Sequence, residues 1–228
     1  MPLDDSLTFL HKIPVFAELL EDQLLRLSKV IIERRYPKHH IIFQEGEPGA
    51  SFFFLKSGKV RLFKTTAEGK EQILAFRSPG EIFAEVVLFD GGPYPATAEV
   101  VEDAQVCLIR NRDLERIIID HVDIAVSLLK IMSSRLRQAQ TALKDIALKD
   151  VYGRLAATLL KLAAEYGTSL TGGTKITLNL THQDLANMIG ATRESVNRVM
   201  SEWRKEGILT AQRGEITILN PQLLKTRL

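Results

Sequence analysis

Four side chains that can read DNA bases occur within six residues, Arg193, Glu194, Asn197 and Arg198. An arginine can donate two hydrogen bonds to guanine, and a glutamate can accept one from N4 of cytosine. In a helix, the apolar residues that alternate with these four would face inward and leave them on the outer face. A helix that presents its N-terminal residues to the major groove could use this set to recognise a base sequence.

The segment from Thr181 to Lys205 predicts two short helices joined by a tight turn, a helix-turn-helix. Thr181 is placed to cap the first helix, and Asp184 takes the capping-box position. Gly190 fits the C-terminal cap of the first helix, and Thr192 fits the N-terminal cap of the second. The inward positions are Leu185, Ala186, Ile189, Val196, Val199, Met200 and Trp203. The alternative is a helical hairpin whose charged face is only solvated.

The charge of the chain is unevenly distributed. The 228 residues carry a net charge of +2, with 45% hydrophobic and 25% charged residues, as in ordinary globular proteins. Residues 150–228 contain 10 Lys and Arg against 7 Asp and Glu, whereas residues 1–149 contain 20 against 21. The basic excess accompanies the predicted helix-turn-helix, as contact with phosphates requires.

The cysteine content and the hydropathy pattern exclude several classes of protein. One cysteine, Cys107, cannot form an internal disulfide or supply an iron–sulfur cluster within one chain. No signal peptide is visible, and no apolar run reaches the roughly 18 residues of a membrane span. We therefore expect a cytoplasmic protein without membrane contact.

The first half of the chain predicts helices followed by an antiparallel barrel or sandwich. Residues 3–30 are amphipathic and interrupted by Pro14, which indicates one or two short helices. From Val30 to about Arg110, apolar runs alternate with glycines at the spacing of short strands. The strand candidates are His40–Phe43, Ser51–Leu55, Lys59–Lys64, Gln72–Arg77, Thr97–Val101 and Ala104–Ile109. A barrel of this size can hold one small ligand.

A long helix is predicted from about Val122 to Leu148, after a short one that ends near Asp120. Its apolar residues step by four and three, the pattern of a coiled-coil seam. The seam consists of Ala125, Leu129, Met132, Leu136, Ala139, Leu143 and Ile146. We favour a parallel homodimer, because one helix-turn-helix reads few base pairs and dimers read two half-sites. The alternative is a face that packs on its own barrel.

The C-terminal segment predicts a winged helix-turn-helix. Lys149 and Asp150 form a plausible hinge, and Asp150 is a good N-cap for a helix from Val151 to about Tyr166. Residues 167–174 are interpreted as a flexible loop, 176–178 as a strand, and 207–219 as a hairpin whose tip residue Arg213 could reach a phosphate. The chain is thus predicted as α+β, with domains at 1–120, 121–149 and 150–228.

Taken together, these features resemble the family of the cyclic-AMP receptor protein and FNR over nearly the whole chain. The resemblance implies an N-terminal antiparallel β-roll, a long dimerisation helix and a C-terminal winged helix-turn-helix. Arg193, Glu194 and Arg198 match the base-reading residues of the cyclic-AMP receptor protein, which favours a TGTGA-like half-site over TTGAT. Asn197 departs from both patterns. Thr181 and Thr192 would lie at helix ends beside phosphates.

The sensing pocket that the resemblance implies is altered in this sequence. Glu85 is kept, but Pro95 and Ala96 stand where the family has the Arg and Ser that hold the phosphate. On the long helix, Ala139 and Gln140 replace the Thr-Ser pair that reaches the base. These changes argue against cyclic AMP and favour another small organic or anionic metabolite. By resemblance, the pocket would be lined by Glu85, Tyr94, Thr97, Leu136, Ala139 and Gln140.

Other ways of sensing remain open in the sequence. Haem needs an axial ligand, but no pair of candidates has ligand spacing. These candidates are His11, His39, His40, His121 and Cys107. A protein without an effector is a further alternative.

The function that the resemblance implies is a homodimeric transcription regulator that binds a palindromic operator in double-stranded DNA. RNA polymerase would be a partner if the regulator is an activator. A cupin-like enzyme would need a metal triad, and the barrel segment after His40 contains no histidine. A cyclic-nucleotide module without DNA binding would leave the winged helix unexplained.

Overall fold

The computed structural model describes residues 8–212 and 214–228, which divide into one unit ending at Arg135 and another beginning at Leu136. The N-terminal unit has α1 (Glu21–Ser28), β1 (Ile32–Tyr36), β2 (Ile41–Phe43), β3 (Ser51–Thr65), β4 (Glu71–Arg77), β5 (Ile82–Phe83), α2 (Val86–Asp90), β6 (Thr97–Arg110) and α3 (Asn111–Asp120). Helix α4 (Val122–Leu148) begins in this unit and continues past Arg135. No helix within residues 8–212 or 214–228 has the length and apolar character needed to cross a bilayer.

The N-terminal strands form one antiparallel sheet in the order β1-β6-β3-β4, with β2 paired to β6 and β5 to β3. Strands β3 and β6 are each continuous, so the prediction of two separate strands in each region was wrong. The register shifts around Gly58 (φ +83°) allow β3 to bend without ending. A Cβ at Gly58 would lie 2.3 Å from the carbonyl oxygen of Asp103 on β6, so only glycine fits this bend.

Successive side chains of β3 point to opposite faces of the sheet, and each face packs into a separate hydrophobic core. Phe52 and Phe54 pack with the N-terminal segment, α1, α3 and the start of α4, whereas Phe53 and Leu55 face the inside of the roll. Inside, the ring of Phe53 stacks on Phe83 with the ring centres 5.2 Å apart. Aromatic side chains therefore line the inside of the roll, where the sequence predicted a ligand.

Helices α3 and α4 lie where the sequence predicted them. Ile124 and Leu128 of α4 are fully buried in the N-terminal unit. The predicted seam lies on a different face, and its large residues are mostly exposed: Leu129 58%, Leu136 61%, Leu143 69% and Ile146 61%. One face of α4 thus packs on its own unit, while the seam has much apolar surface in contact with solvent.

The C-terminal unit contains α5 (Val151–Tyr166), β7 (Gly167–Leu170), β8 (Gly173–Ile176), α6 (His182–Ile189), α7 (Arg193–Lys205), β9 (Leu209–Gln212), β10 (Glu215–Ile218) and α8 (Pro221–Lys225). Its antiparallel sheet has the order β7-β8-β10-β9. The flexible loop predicted at residues 167–174 is instead the β7–β8 hairpin, and the strand ends at Ile176 rather than continuing to Leu178. Gly172 (φ +96°) makes the turn, and Gly173 packs on β10 so closely that a Cβ would lie 2.4 Å from the Ile218 carbonyl oxygen.

Cys107 provides a test of the N-terminal core. The side chain is buried beside Phe54, and burial is the main cause that raises the pKa of its thiol to about 12. We expect almost no reaction with a disulfide reagent at pH 8 in native buffer, because the thiolate is the reactive form. One thiol per chain should react after unfolding in guanidinium chloride, and fast native labelling would contradict the packing.

Candidate nucleic-acid interface and sensing site

The two helices of the helix-turn-helix begin and end at the predicted caps. The Thr181 hydroxyl accepts a hydrogen bond from the Asp184 amide at 3.1 Å, and the Thr181 amide donates to the Asp184 carboxylate at 2.8 Å. The Thr192 hydroxyl accepts from the Ser195 amide at 3.2 Å. Gly190 has the left-handed backbone (φ +62°) that ends α6. Local side-chain chemistry therefore fixes the turn between the helices.

Burial of one face of α7 determines what its other face presents. Val196, Val199, Met200 and Trp203 are fully buried, as are Leu185 and Ala186 of α6. The opposite face carries the four predicted base-reading residues, all exposed: Arg193, Glu194, Asn197 and Arg198. The first two turns of α7 thus offer guanidinium, carboxylate and amide groups to a ligand in solution.

Two residues that sequence reasoning missed lie beside Arg198. The Tyr152 hydroxyl of α5 donates a hydrogen bond to the Glu202 carboxylate at 2.7 Å. This bond is the main cause that raises the pKa of Tyr152, whereas Arg198 acts on the same hydroxyl in the opposite direction. The i, i+4 spacing of Arg198 and Glu202 was the available signal. The Tyr152 hydroxyl is therefore close to both Glu202 and Arg198.

Asn197 also has a partner that the sequence did not indicate. Nδ1 of His182, the first residue of α6, contacts Oδ1 of Asn197 on α7. Both helix N-termini, capped by Thr181 and Thr192, leave amide groups that favour an anion such as phosphate. The predicted phosphate contact Arg213 lies outside the described residues.

The wing, which is the hairpin of β9 and β10, brings Gly214 very close to the Asn179 side chain. The glycine backbone is left-handed (φ +83°), and a Cβ would lie 1.7 Å from the Asn179 side-chain oxygen. The Leu180 amide donates to the Gly214 carbonyl oxygen at 3.0 Å. This contact ties the hairpin of β9 and β10 to the residues immediately before α6.

The predicted hinge is held by hydrogen bonds on both sides. The Asp150 carboxylate accepts from the Gly153 amide at 2.9 Å and caps α5. Arg154 donates to the Lys149 carbonyl oxygen at 2.8 Å and to the Ile189 carbonyl oxygen at 2.9 Å. Arg154 thus connects the end of α4 with the end of α6, within the C-terminal unit.

Glu85, the acid that was predicted to line a ligand pocket, already has a charged partner. The Glu85 side chain is 4% exposed and forms an ion pair with Arg135 of α4. Arg135 also donates to the Ile82 carbonyl oxygen at 2.6 Å. Sequence reasoning did not identify Arg135, which stands between the seam residues Met132 and Leu136. Glu85 follows Ala84, whose left-handed backbone (φ +59°) is strained for a residue other than glycine.

Other predicted pocket residues in the N-terminal unit are also engaged. The Tyr94 ring is buried and stacks on Phe43 with ring centres 4.0 Å apart, and its burial raises the pKa of its hydroxyl. Thr97 accepts a hydrogen bond from the Glu45 amide at 3.1 Å. Pro95 is exposed, and its ring nitrogen has no proton to donate to a phosphate.

The remaining predicted pocket residues belong to α4 beyond Arg135. Leu136, Ala139 and Gln140 are exposed there and lie in the C-terminal unit.

The haem-ligand candidates are dispersed. Nδ1 of His39 lies 3.2 Å from the Glu99 carboxylate, and Nδ1 of His121 lies 3.1 Å from the Gln23 amide nitrogen. The His40 ring stacks on Tyr36. Within residues 8–212 and 214–228, no three His, Cys, Asp or Glu side chains are grouped to hold a metal ion.

Comparison with protein families gives matches to both parts of the chain. Residues 33–121 match the family model of the cyclic nucleotide-binding domain, and residues 153–227 match that of the Crp-like helix-turn-helix domain.

Known proteins are similar over most of their length. The chain is 30% identical to a CRP-like cAMP-activated global transcriptional regulator of Mycobacterium tuberculosis over 93% of this chain and 95% of that protein. It is 32% identical to the anaerobic regulatory protein of Bacillus subtilis, over 94% and 91% respectively. The solved structure of FixK2 from Bradyrhizobium japonicum superposes with a TM-score of 0.76 at 29% identity, covering 86% of this chain and 96% of that chain.

The Glu85–Arg135 pair generates a stability prediction. Arg135→Met should lower the free energy of unfolding by about 2–4 kcal/mol, because it leaves a buried carboxylate without its partner. The double substitution Glu85→Gln with Arg135→Met should recover much of that loss, since no buried charge remains. Urea unfolding followed by circular dichroism measures both. If Arg135→Met unfolds like the unsubstituted protein, the ion pair is not a structural contact.

Proposed function

The chain belongs to the CRP/FNR family of transcription regulators, and from this we propose that it acts as a homodimer that reads a TGTGA-like palindrome. We further propose control by a small effector other than cyclic AMP. Family membership makes the protein a DNA-binding regulator and not an enzyme. The dimer, the half-site and the effector are the parts that remain to be tested.

The exposed N-terminal face of α7 is the observation that carries the DNA-reading proposal. Arg193 and Arg198 would donate to guanines, and Glu194 would accept from cytosine. Thr181 and Thr192, at the N-termini of α6 and α7, would lie against phosphates and set the angle of entry into the groove. From the sequence, Arg213 is expected near the tip of the wing, where it would add another phosphate contact.

The exposed seam of α4 supports the homodimer. Leu129, Leu136, Leu143 and Ile146 are each more than half exposed in the single chain, and they recur at the coiled-coil interval. A second copy of α4 would cover them and place two recognition helices on successive turns of the same duplex. Ala125, Met132 and Ala139 complete the seam.

Three features favour an effector other than cyclic AMP. Pro95 and Ala96 supply no charged side chain for a buried phosphate. Glu85, the acid that could meet a ribose hydroxyl, is engaged by Arg135. A ligand near Glu85, Tyr94 and Thr97 would therefore have to compete with existing contacts. Haem remains a second candidate effector because His39, His40 and His121 lie in the N-terminal unit.

The effect of ligand binding would pass from α4 through Lys149 and Asp150 to the helix-turn-helix of α6 and α7, called the reading head below. An effector that favours one packing of the two α4 helices changes the spacing of the recognition helices. Leu136 and Ala139 belong to the proposed seam, and Gln140 follows Ala139 on the same helix. RNA polymerase would be a further partner if the protein is an activator. We also propose a cytoplasmic location, since the DNA target lies in the bacterial cytoplasm.

The proposal is tested by fluorescence anisotropy with effector-free protein at one stated salt concentration. The duplexes are a two-fold TGTGA palindrome, the corresponding TTGAT palindrome and a scrambled sequence. Selective binding of TGTGA supports the assignment of Arg193, Glu194 and Arg198, whereas selective binding of TTGAT contradicts it. An absorbance scan of the same sample tests for haem through its Soret band.

Arg198→Ala should weaken binding to the palindrome by about 1–3 kcal/mol per half-site and relax specificity at one base. The reason is the loss of two donors to one guanine. The matched control is Arg204→Ala, which removes the same charge from the exposed C-terminal end of α7. If Arg198→Ala weakened binding to the palindrome and to scrambled DNA equally, Arg198 would contact a phosphate and not a base.

Leu143→Asp should convert the dimer into monomers, because it introduces a carboxylate into an apolar seam. Leu136→Asp should have the same effect. Thr141→Asp is the control, since it adds the same charge two residues away on the exposed outer face of α4. Light scattering gives the mass of each variant, and a dimeric Leu143→Asp protein would refute the seam.

A further inference from the structure

The contact between His182 and Asn197 links the two helices of the reading head. His182 is the first residue of α6, Asn197 is in the second turn of α7, and Nδ1 of the imidazole meets Oδ1 of the amide. The Asn197 side chain is exposed on the face that carries Arg193 and Arg198. The contact therefore lies at the surface that the proposed function assigns to DNA bases.

An amide oxygen can only accept, so this orientation of Asn197 requires a proton on Nδ1 of the imidazole, which then donates. This bond fixes which end of the amide points away from the protein. With Oδ1 held by His182, the NH2 group of Asn197 faces outward, and within the described part of the chain it has no hydrogen-bond partner. If the imidazole instead accepted at Nδ1, the amide would turn over and present its oxygen.

The two orientations read different bases. An outward NH2 group donates to the major-groove acceptors of guanine, adenine or thymine, and it finds none on cytosine, whose major-groove edge presents a donor. An outward oxygen would instead accept from cytosine or adenine. Whether Nδ1 of His182 carries a proton thus decides whether Asn197 presents a donor or an acceptor to the base.

We propose that His182 is a positioning residue for specificity: it holds Asn197 with its NH2 group outward, so that the protein discriminates against cytosine at the base that Asn197 faces. The inference rests on the proposed reading of DNA by α7. It assigns a role to the residue that departs from the family pattern, and it places the orienting group on the neighbouring helix.

The first experiment is a base panel on the full-length protein. Each half-site position of the palindrome is replaced symmetrically by all four bases, and anisotropy at fixed salt gives the relative affinities. Asn197→Ala identifies the position that Asn197 faces. There, we expect the unsubstituted protein to disfavour cytosine by about threefold to tenfold per half-site, as for one neutral hydrogen bond.

His182→Ala should flatten the preference at that position and leave the other positions unchanged. His182→Gln should restore it, because its NH2 group can still donate to Asn197. In an Asn197→Ala background, His182→Ala should change nothing further. The double-mutant cycle separates this role from a phosphate contact, which would weaken all duplexes equally in either background.

Arg198→Ala separates failure of this inference from failure of the proposed function. If Arg198→Ala relaxes its own base position while His182→Ala relaxes none, the positioning role is wrong and the proposed function stands. If the unsubstituted protein binds DNA tightly but shows no base preference at any position, both are overturned.

A second measurement needs no DNA. Long-range proton–nitrogen NMR spectra distinguish the two imidazole nitrogens, and the His182→Gln variant identifies the signals of His182. We expect a protonated Nδ1 in the unsubstituted protein and a changed ratio of tautomers in Asn197→Ala. A neutral ring with an unprotonated Nδ1 in the unsubstituted protein would overturn the inference.

Discussion

Burial of the apolar face of α7 is the constraint on which the reading head depends. Val199, Met200 and Trp203 are fully buried, so rotation of the helix about its axis would bring apolar area into water. That penalty keeps Arg193 and Arg198 on the outer face of the helix. Capping by Thr192 fixes where the helix begins, and therefore which residues occupy its first two turns. Recognition is thus built on packing, and polar contacts refine it.

Helix α4, like α7, has one buried apolar face and a second face that is exposed. Ile124 and Leu128 pack into the N-terminal unit, whereas Leu136 and Leu143 remain largely exposed on the seam. Arg135 stands next to the seam residue Leu136 and pairs with Glu85, so one turn of the helix carries both this ion pair and part of the proposed dimer surface. A change in the contacts of Glu85 would therefore affect Arg135, which directly precedes the seam residue Leu136.

The features that the sequence predicted correctly are those determined by neighbours along the chain. The caps at Thr181 and Thr192, the turn at Gly190 and the bounds of α4 follow from residues at most four apart. The missed features join distant residues. Glu85 and Arg135 are 50 positions apart, and Tyr152 reaches Glu202 across the same separation. No local pattern encodes such pairs, because the tertiary fold brings them together. The glycine at position 58 suggested a break, yet in β3 it permits a bend that keeps the strand continuous.

The paired state of Glu85 limits how an effector could act. A ligand shifts a conformational equilibrium only by its difference in affinity for the two states. If it binds where Arg135 now lies, its binding must also compensate for separating a buried ion pair, so a ligand with a cationic or strongly donating group would be favoured at Glu85. A ligand that leaves the pair intact must obtain its selectivity elsewhere in the roll, where Tyr94, Phe43 and Phe53 offer mainly apolar surface. The charge of any such ligand would thus determine whether the ion pair between Glu85 and Arg135 is kept or broken.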